Sequence, residues 1–72
     1  MAKQASGRSD LAIEIRGRRK DLRLTQVEVA ELADVSDRFV MELEQGKPTV
    51  RLDKLTAVLD AMGLTLRAEL RQ

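Results

Sequence analysis

The stretch TQVEVAELADVSDRFVMELEQG, residues 25–46, contains start and stop signals for two short helices. Thr25 and Glu28 stand in capping-box register: the hydroxyl accepts an orphan N–H, and the carboxylate reaches back to the cap. Val29, Leu32 and Ala33 then give that helix its buried stripe. Ser36 is a good N-cap for the next helix, and Asp37 sits near the positive end of its dipole. Phe39, Val40 and Leu43 supply apolar contacts, and Gly46 followed by Pro48 ends the helix. Two short helices meeting at a steep angle need small side chains where they approach, and Ala30 and Ala33 provide them. With Val35, Val40 and Leu43 turned inward, Asp37, Arg38, Met41 and Glu42 point outward. A helix with such a free face fits the major groove of B-DNA, where base edges are accessible.

Working outward, residues 1–8 are small, polar and basic and are expected to be a disordered arm. Ser9 or Asp10 is placed to cap a first helix, with Leu11, Ile15 and Leu22 on one side and Arg16, Arg18, Arg19 and Lys20 around the rest. A fourth helix, roughly 52–62, repeats Leu55, Val58, Leu59 and Met62 and stops at Gly63. Beyond it, Leu64, Leu66, Ala68 and Leu70 alternate with Thr65, Arg67, Glu69 and Arg71, the two-residue period of a half-buried strand. A lone strand in a helical chain leaves its backbone groups open. The economical solution is the same strand from a second copy, with Arg67 facing the other copy's Glu69 across an antiparallel ribbon. The alternative is a fifth short helix using Leu66 and Leu70. The expected architecture is therefore all-α, four to five helices, with a C-terminal strand over 64–72 pairing across a homodimer. Residues 9–63 form its helical domain.

Seventy-two residues make one domain, and a core of this size supplies only about 3–5 kcal/mol, which favours pairing with another chain. There is no cysteine and no histidine, which removes thiol nucleophiles, the commonest general base and the commonest metal ligands. No cluster of carboxylates, Lys, Ser or Thr stands out as a catalytic site, so an enzyme is not expected, nor a cofactor. No apolar run approaches the roughly 20 residues that span a bilayer, and the N-terminus lacks a secretion signal's apolar core. A cytoplasmic address is the default expectation. The net charge of +1 is unevenly spread: +4 over residues 1–24, −5 over 25–46 and +2 over 47–72. Basic flanks around an acidic centre suit phosphate contacts at the flanks.

The run LTQVEVAELADVSDRFVMELEQGKP, residues 24–48, resembles the XRE/lambda-repressor-like helix-turn-helix family. The likeness rests on Leu-Thr-Gln, the small residue at Ala30, the aliphatic Val40 and Glu-x-Gly after the third helix. It extends to Ile-Arg-x-x-Arg-Lys-x-Leu at 15–22 and to LxxVLxAMGL at 55–64. One departure is Asp34, where the turn usually carries glycine; aspartate tolerates a left-handed backbone better than most residues. Within the family, GLTLRAEL at 63–70 is most like the end of HipB-type antitoxins, partners of HipA-like kinase toxins.

The resemblance implies roles for individual residues. Gln26 would contact a phosphate and orient side chains of the third helix. Ser36, Asp37, Arg38 and Glu42 occupy base-reading positions, with Arg38 able to fork onto guanine O6 and N7. Asp37 and Glu42 would accept from cytosine N4 or repel wrong placements; Asp37 serves equally as a helix cap, and the alternative for Glu42 is a spectator or local salt-bridge partner. Lys47 and Arg51 would hold phosphates, and Arg16, Arg18 and Lys20 are either phosphate contacts or a solvated face. Arg19 and Glu44 match an ion pair that ties the first helix to the end of the third. The function expected is a DNA-binding repressor reading an inverted repeat as a homodimer, the autoregulating antitoxin of a HipBA-like pair. The alternatives are a free-standing XRE-type regulator, or an interaction module whose acidic centre docks on a basic protein without DNA binding.

Overall fold

A computed structural model describes residues 6–68 and shows four helices: α1 (Ser6–Asp21), α2 (Gln26–Ala33), α3 (Asp37–Glu44) and α4 (Leu52–Ala61). The chain is all-α over these residues, with no strand among them. α1 begins at Ser6 rather than after a cap at Ser9 or Asp10. No proline interrupts residues 6–10, and extending a helix costs far less than nucleating one. Leu22 and Leu32 also depart from expectation. α1 stops at Asp21, so Leu22 lies in the following turn and is exposed, and Leu32 is 62% exposed because α2 buries the side that carries Val29 and Ala30.

The core is assembled from one stripe of each helix. Ile15 of α1, Val29 and Ala30 of α2, Val40 and Leu43 of α3, and Leu55, Val58 and Leu59 of α4 are buried together, with Met62 just beyond α4. Leu11, Leu24, Ala33, Val35, Phe39 and Leu64 pack around them, partly exposed. α2 lies against both α3 and α4, and α1 against α3. Ala30, 3% exposed, is the small contact that lets α2 and α3 close on each other. Gly63 fills a similar need: a Cβ there would meet the Arg18 guanidinium at 3.2 Å, and Arg18 Nε donates to the Met62 carbonyl at 2.8 Å. Arg18 therefore fastens α1 to the end of α4 and is no simple solvated charge.

The caps expected for α2 and α3 are both formed. Thr25 and Glu28 complete a reciprocal capping box, and the Ser36 hydroxyl accepts the Phe39 N–H at 3.0 Å. All four helices close by one device. A residue at positive φ (Arg23, Asp34, Gly46 or Gly63) follows the helix. The next N–H then reaches back five residues: Leu24 to Arg19, Val35 to Ala30, Lys47 to Glu42 and Leu64 to Leu59. This Schellman-type bond satisfies carbonyls that the helix itself leaves open. Arg23 and Asp34 adopt the left-handed geometry with a Cβ, at φ 59° in each case.

Residues 64–68 carry neither helix nor strand. Leu64 turns inward onto the core, while Leu66 and Ala68 are exposed, so the period-two pattern is broken after its first position. A strand requires a ladder partner, and none of the four helices offers one within the chain. Glu69 and Leu70, also placed in the expected ribbon, lie outside the described residues, as do residues 1–5 of the expected arm.

The C-terminal end of α3 is fixed by charge. Arg19 Nε donates to Glu44 Oε2 at 2.6 Å and Arg19 Nη2 to Glu44 Oε1 at 2.9 Å. Arg19 Nη1 bonds the Leu24 carbonyl at 2.9 Å, and Gln26 Nε2 adds a third donor to Glu44 at 3.1 Å. The two charged side chains are 12% and 4% exposed, so this is a largely desolvated fork rather than a surface pair. Burial pushes the Glu44 carboxyl up, but the hydrogen bonds from Arg19 and Gln26 and the charges of Arg19 and Arg16 outweigh it and hold the group below its ordinary value. The same hydrogen bond raises Arg19.

Two predictions follow from these contacts. Glu44 binds its proton less tightly folded than unfolded. Its stabilisation is therefore complete above the unfolded value of about 4.3 and is lost as pH falls through the lower folded value. Glu44→Gln should cost about 2–3 kcal/mol at pH 7 in urea unfolding, and the gap to wild type should narrow below about pH 4. A gap unchanged between pH 7 and pH 3 would contradict the charged fork. Arg23→Gly and Asp34→Gly should each stabilise by about 0.5–1 kcal/mol, because left-handed backbone costs a residue with a Cβ more than glycine's extra chain entropy. A lowered urea midpoint for both variants would show that their side chains hold contacts worth more than the strain.

Candidate nucleic-acid interface

With Val40 and Leu43 buried, α3 presents Asp37, Arg38, Met41, Glu42 and Gln45 on its other side, the last residue just past the helix end. The first turn of α2 lies beside this face. Gln26 and Val27 from α2, with Arg38, Met41, Glu42 and Gln45, line a shallow hollow between the two elements. Gln26 is thus shared: its amide is bonded to Glu44 while its helix position borders the outward face of α3. An α-helix about 10–12 Å across fits the roughly 12 Å major groove only along such a free face.

Arg38 is the sole cation of α3, and its side chain is 80% exposed, so the guanidinium is available to a ligand. Its Nε donates to Glu42 Oε2 at 3.2 Å, one turn along the helix. Glu42 also accepts from Lys47 Nζ at 3.2 Å, so one carboxylate bridges α3 to the loop that follows it. The Lys47 hydrogen bond holds the Glu42 carboxyl below its ordinary value, with desolvation opposing and Arg38 adding to the effect. At neutral pH Glu42 is therefore an acceptor only. Asp37 turns a carboxylate oxygen to the Arg38 N–H at 3.1 Å, and Ser36 is engaged as the N-cap, with its hydroxyl proton still able to donate.

Arg51 is exposed at the N-cap of α4 and forks onto Asp53, with Nη2 to Oδ2 at 2.7 Å. That contact holds Asp53 below its ordinary value. Lys47 and Arg51 both line a groove between α3 and the start of α4, together with Phe39, Val50 and Lys54. The Lys54 ammonium stands 6.0 Å from the Phe39 ring centroid. The ion pairs of Lys47 and Arg51 are solvated, and such pairs are worth about 0–1 kcal/mol, so exchanging their carboxylates for phosphates costs little. Arg16 is exposed on α1, close enough for its charge to act on Glu44.

The structure therefore brings Asp37, Arg38 and Glu42 onto one side of α3, with Ser36 at its N-cap, Gln26 beside them and Lys47 bonded to Glu42. Arg51 lies across the second groove. Sequence reasoning misses Val27 and Gln45 as members of this surface. Val27 lies outside the apolar stripe read for α2 and carries no signal of its own, and Gln45 falls between α3 and its stop signal. Lys54 is missed too, because α4 registers only by its apolar repeat. No group of three or more Asp or Glu side chains among the described residues is placed to hold a metal ion, and no helix there is long and apolar enough to cross a membrane.

Comparison with known proteins agrees with this geometry. The family model described as a helix-turn-helix domain matches residues 10–72. An uncharacterized HTH-type transcriptional regulator of Sinorhizobium fredii, y4mF, is 38% identical over 66 residues, covering 92% of this chain and 87% of its own length. The crystal structure of the clp gene regulator ClgR from Corynebacterium glutamicum superposes with a TM-score of 0.71 at 34% identity. That match covers 81% of this chain, which spans 62% of the ClgR chain. In sequence and in fold, the chain belongs to the helix-turn-helix domain family.

Proposed function

We propose that this chain is a DNA-binding transcriptional repressor that reads an inverted-repeat operator as a homodimer, with α3 as the reading helix. The observation that carries the reading is the face of α3. An exposed Arg38 stands among hydrogen-bonding side chains, on a helix whose other side is locked to the core and whose end is clamped by Arg19. Arg38 reads guanine through O6 and N7, and Glu42 accepts from an amino group such as cytosine N4. Ser36 and Asp37 reach base edges at the start of the helix. Gln26, Lys47, Arg51 and Arg16 hold phosphates and fix the register.

The proposal includes the second copy. Leu66 and Ala68 are exposed, and in this reading residues 64–72 pair as an antiparallel ribbon between two chains. The likeness of residues 63–70 to HipB-type antitoxins extends the proposal to autoregulation beside a HipA-like kinase toxin. Deleting residues 64–72 should yield a monomer by sedimentation, and a truncated chain that stayed dimeric would place the interface elsewhere.

Selection of bound duplexes from a random pool tests the central reading. The expected product is an inverted repeat with half-sites about one helical turn apart, roughly 10–10.5 base pairs. Arg38→Ala should then lose about 1–3 kcal/mol at one base position. Lys47→Ala and Arg51→Ala should weaken all sequences evenly and each reduce the salt slope by about one. Recovery of no preferred sequence would reject base reading, and an unchanged Arg38→Ala profile would remove Arg38 as the reader.

A further inference from the structure

The hollow between α2 and α3 contains two apolar side chains that the base-reading scheme above does not use. Val27, 49% exposed, comes from the first turn of α2, and Met41, 39% exposed, from the middle of α3. Of the exposed large apolar residues among those described, these two line this hollow. Single exposed apolar residues are ordinary on protein surfaces. Here two of them, from different helices, converge on one depression bordered by Gln26, Arg38, Glu42 and Gln45.

We propose that Val27 and Met41 form a seat for the 5-methyl group of a pyrimidine base in the major groove. The inference rests on the DNA-reading role of α3 and adds a specificity element to it. Among the four bases, the groove displays a single apolar group, the thymine methyl; 5-methylcytosine carries the same group on the same ring carbon. Arg38 and Glu42, beside the seat on the same helix, address hydrogen-bonding edges. The seat addresses the one feature those groups cannot recognise. Met41 suits the task because its unbranched thioether moulds to a small apolar surface. A second copy of this chain is a poor occupant, since two side chains fall far short of the roughly 1,000 Å² expected of a stable interface.

The test uses the full chain and the operator recovered by selection. Each thymine is replaced in turn by deoxyuridine, which removes only the methyl group, and each cytosine by 5-methylcytosine, which adds one. Loss of one methyl should weaken wild-type binding about 3- to 5-fold at one half-site position, the worth of one buried methyl. In the Val27→Ala/Met41→Ala variant the ratio between the two duplexes should fall to about one, whatever the variant's absolute affinity. Tighter binding to a 5-methylcytosine duplex, with no response to deoxyuridine, would assign the same seat to the modified base. Operator binding indifferent to every methyl removed or added would overturn the seat while leaving base reading intact, and so would a full methyl effect in the double variant. Failure of the wild type to select any duplex would overturn both.

Discussion

The carboxylate of Glu44 receives two N–H bonds from Arg19 on α1 and one from Gln26 on α2, so three helices meet at one charged group at the end of α3. α2 and α3 are eight residues each, too short to persist alone in water. Apolar packing through Val40 and Leu43 sets which side of α3 faces the core, but greasy contacts alone allow a helix to roll and slide. The planar fork on Glu44 restricts the direction in which α3 leaves the body, and with it the presentation of Arg38 and Glu42. Because the pair is largely buried, breaking it would strand a desolvated charge. The clamp is thus more costly to open than any of the surface pairs around the candidate interface.

The interface itself has the opposite character. Arg38, Lys47 and Arg51 are exposed and bonded to Glu42 or Asp53 through solvated contacts that exchange readily. A rigid clamp behind the helix and replaceable partners in front of it fit a surface that must trade carboxylates for bases and phosphates. The acidic centre of the sequence is consistent with this division. Of its six carboxylates, Glu44 serves the scaffold, Glu28 caps α2 and Asp34 forms the turn after it, while Asp37 and Glu42 stand beside Arg38 on the exposed face.

Local signals in the sequence locate most of the architecture. The Thr25–Glu28 box, the Ser36 cap, the stops at Gly46 and Gly63 and the strained turn at Asp34 are each encoded within a few residues, and each appears in the structure. The features that escape are those without a local signature. Arg23 adopts the same left-handed turn as Asp34, yet arginine has no preference for it, so the geometry is imposed by the packing of Leu24 beyond it. Arg18 reaches a carbonyl 44 residues away, which no spacing rule discloses. Leu22 continues the apolar pattern of α1 in sequence, but the helix ends before it and leaves it exposed. Alternation over residues 64–70 is a genuine period-two pattern in the sequence, but a strand forms only against a ladder partner, and residues 64–68 carry none of that structure. The outward-facing residues of α3 are legible because a short helix with one buried stripe has only one other side. Val27 joins that surface through the fold of α2 over α3, a long-range fact.

The most direct measurement is a titration of isotope-labelled protein with the selected duplex, followed by backbone amide chemical shifts. Reading through α3 predicts the largest changes at residues 36–42, with further changes at Gln26, Lys47 and Arg51, and little at residues 10–14 of α1. Changes concentrated on residues 10–14 and 64–68, with α3 undisturbed, would contradict α3 as the reading helix.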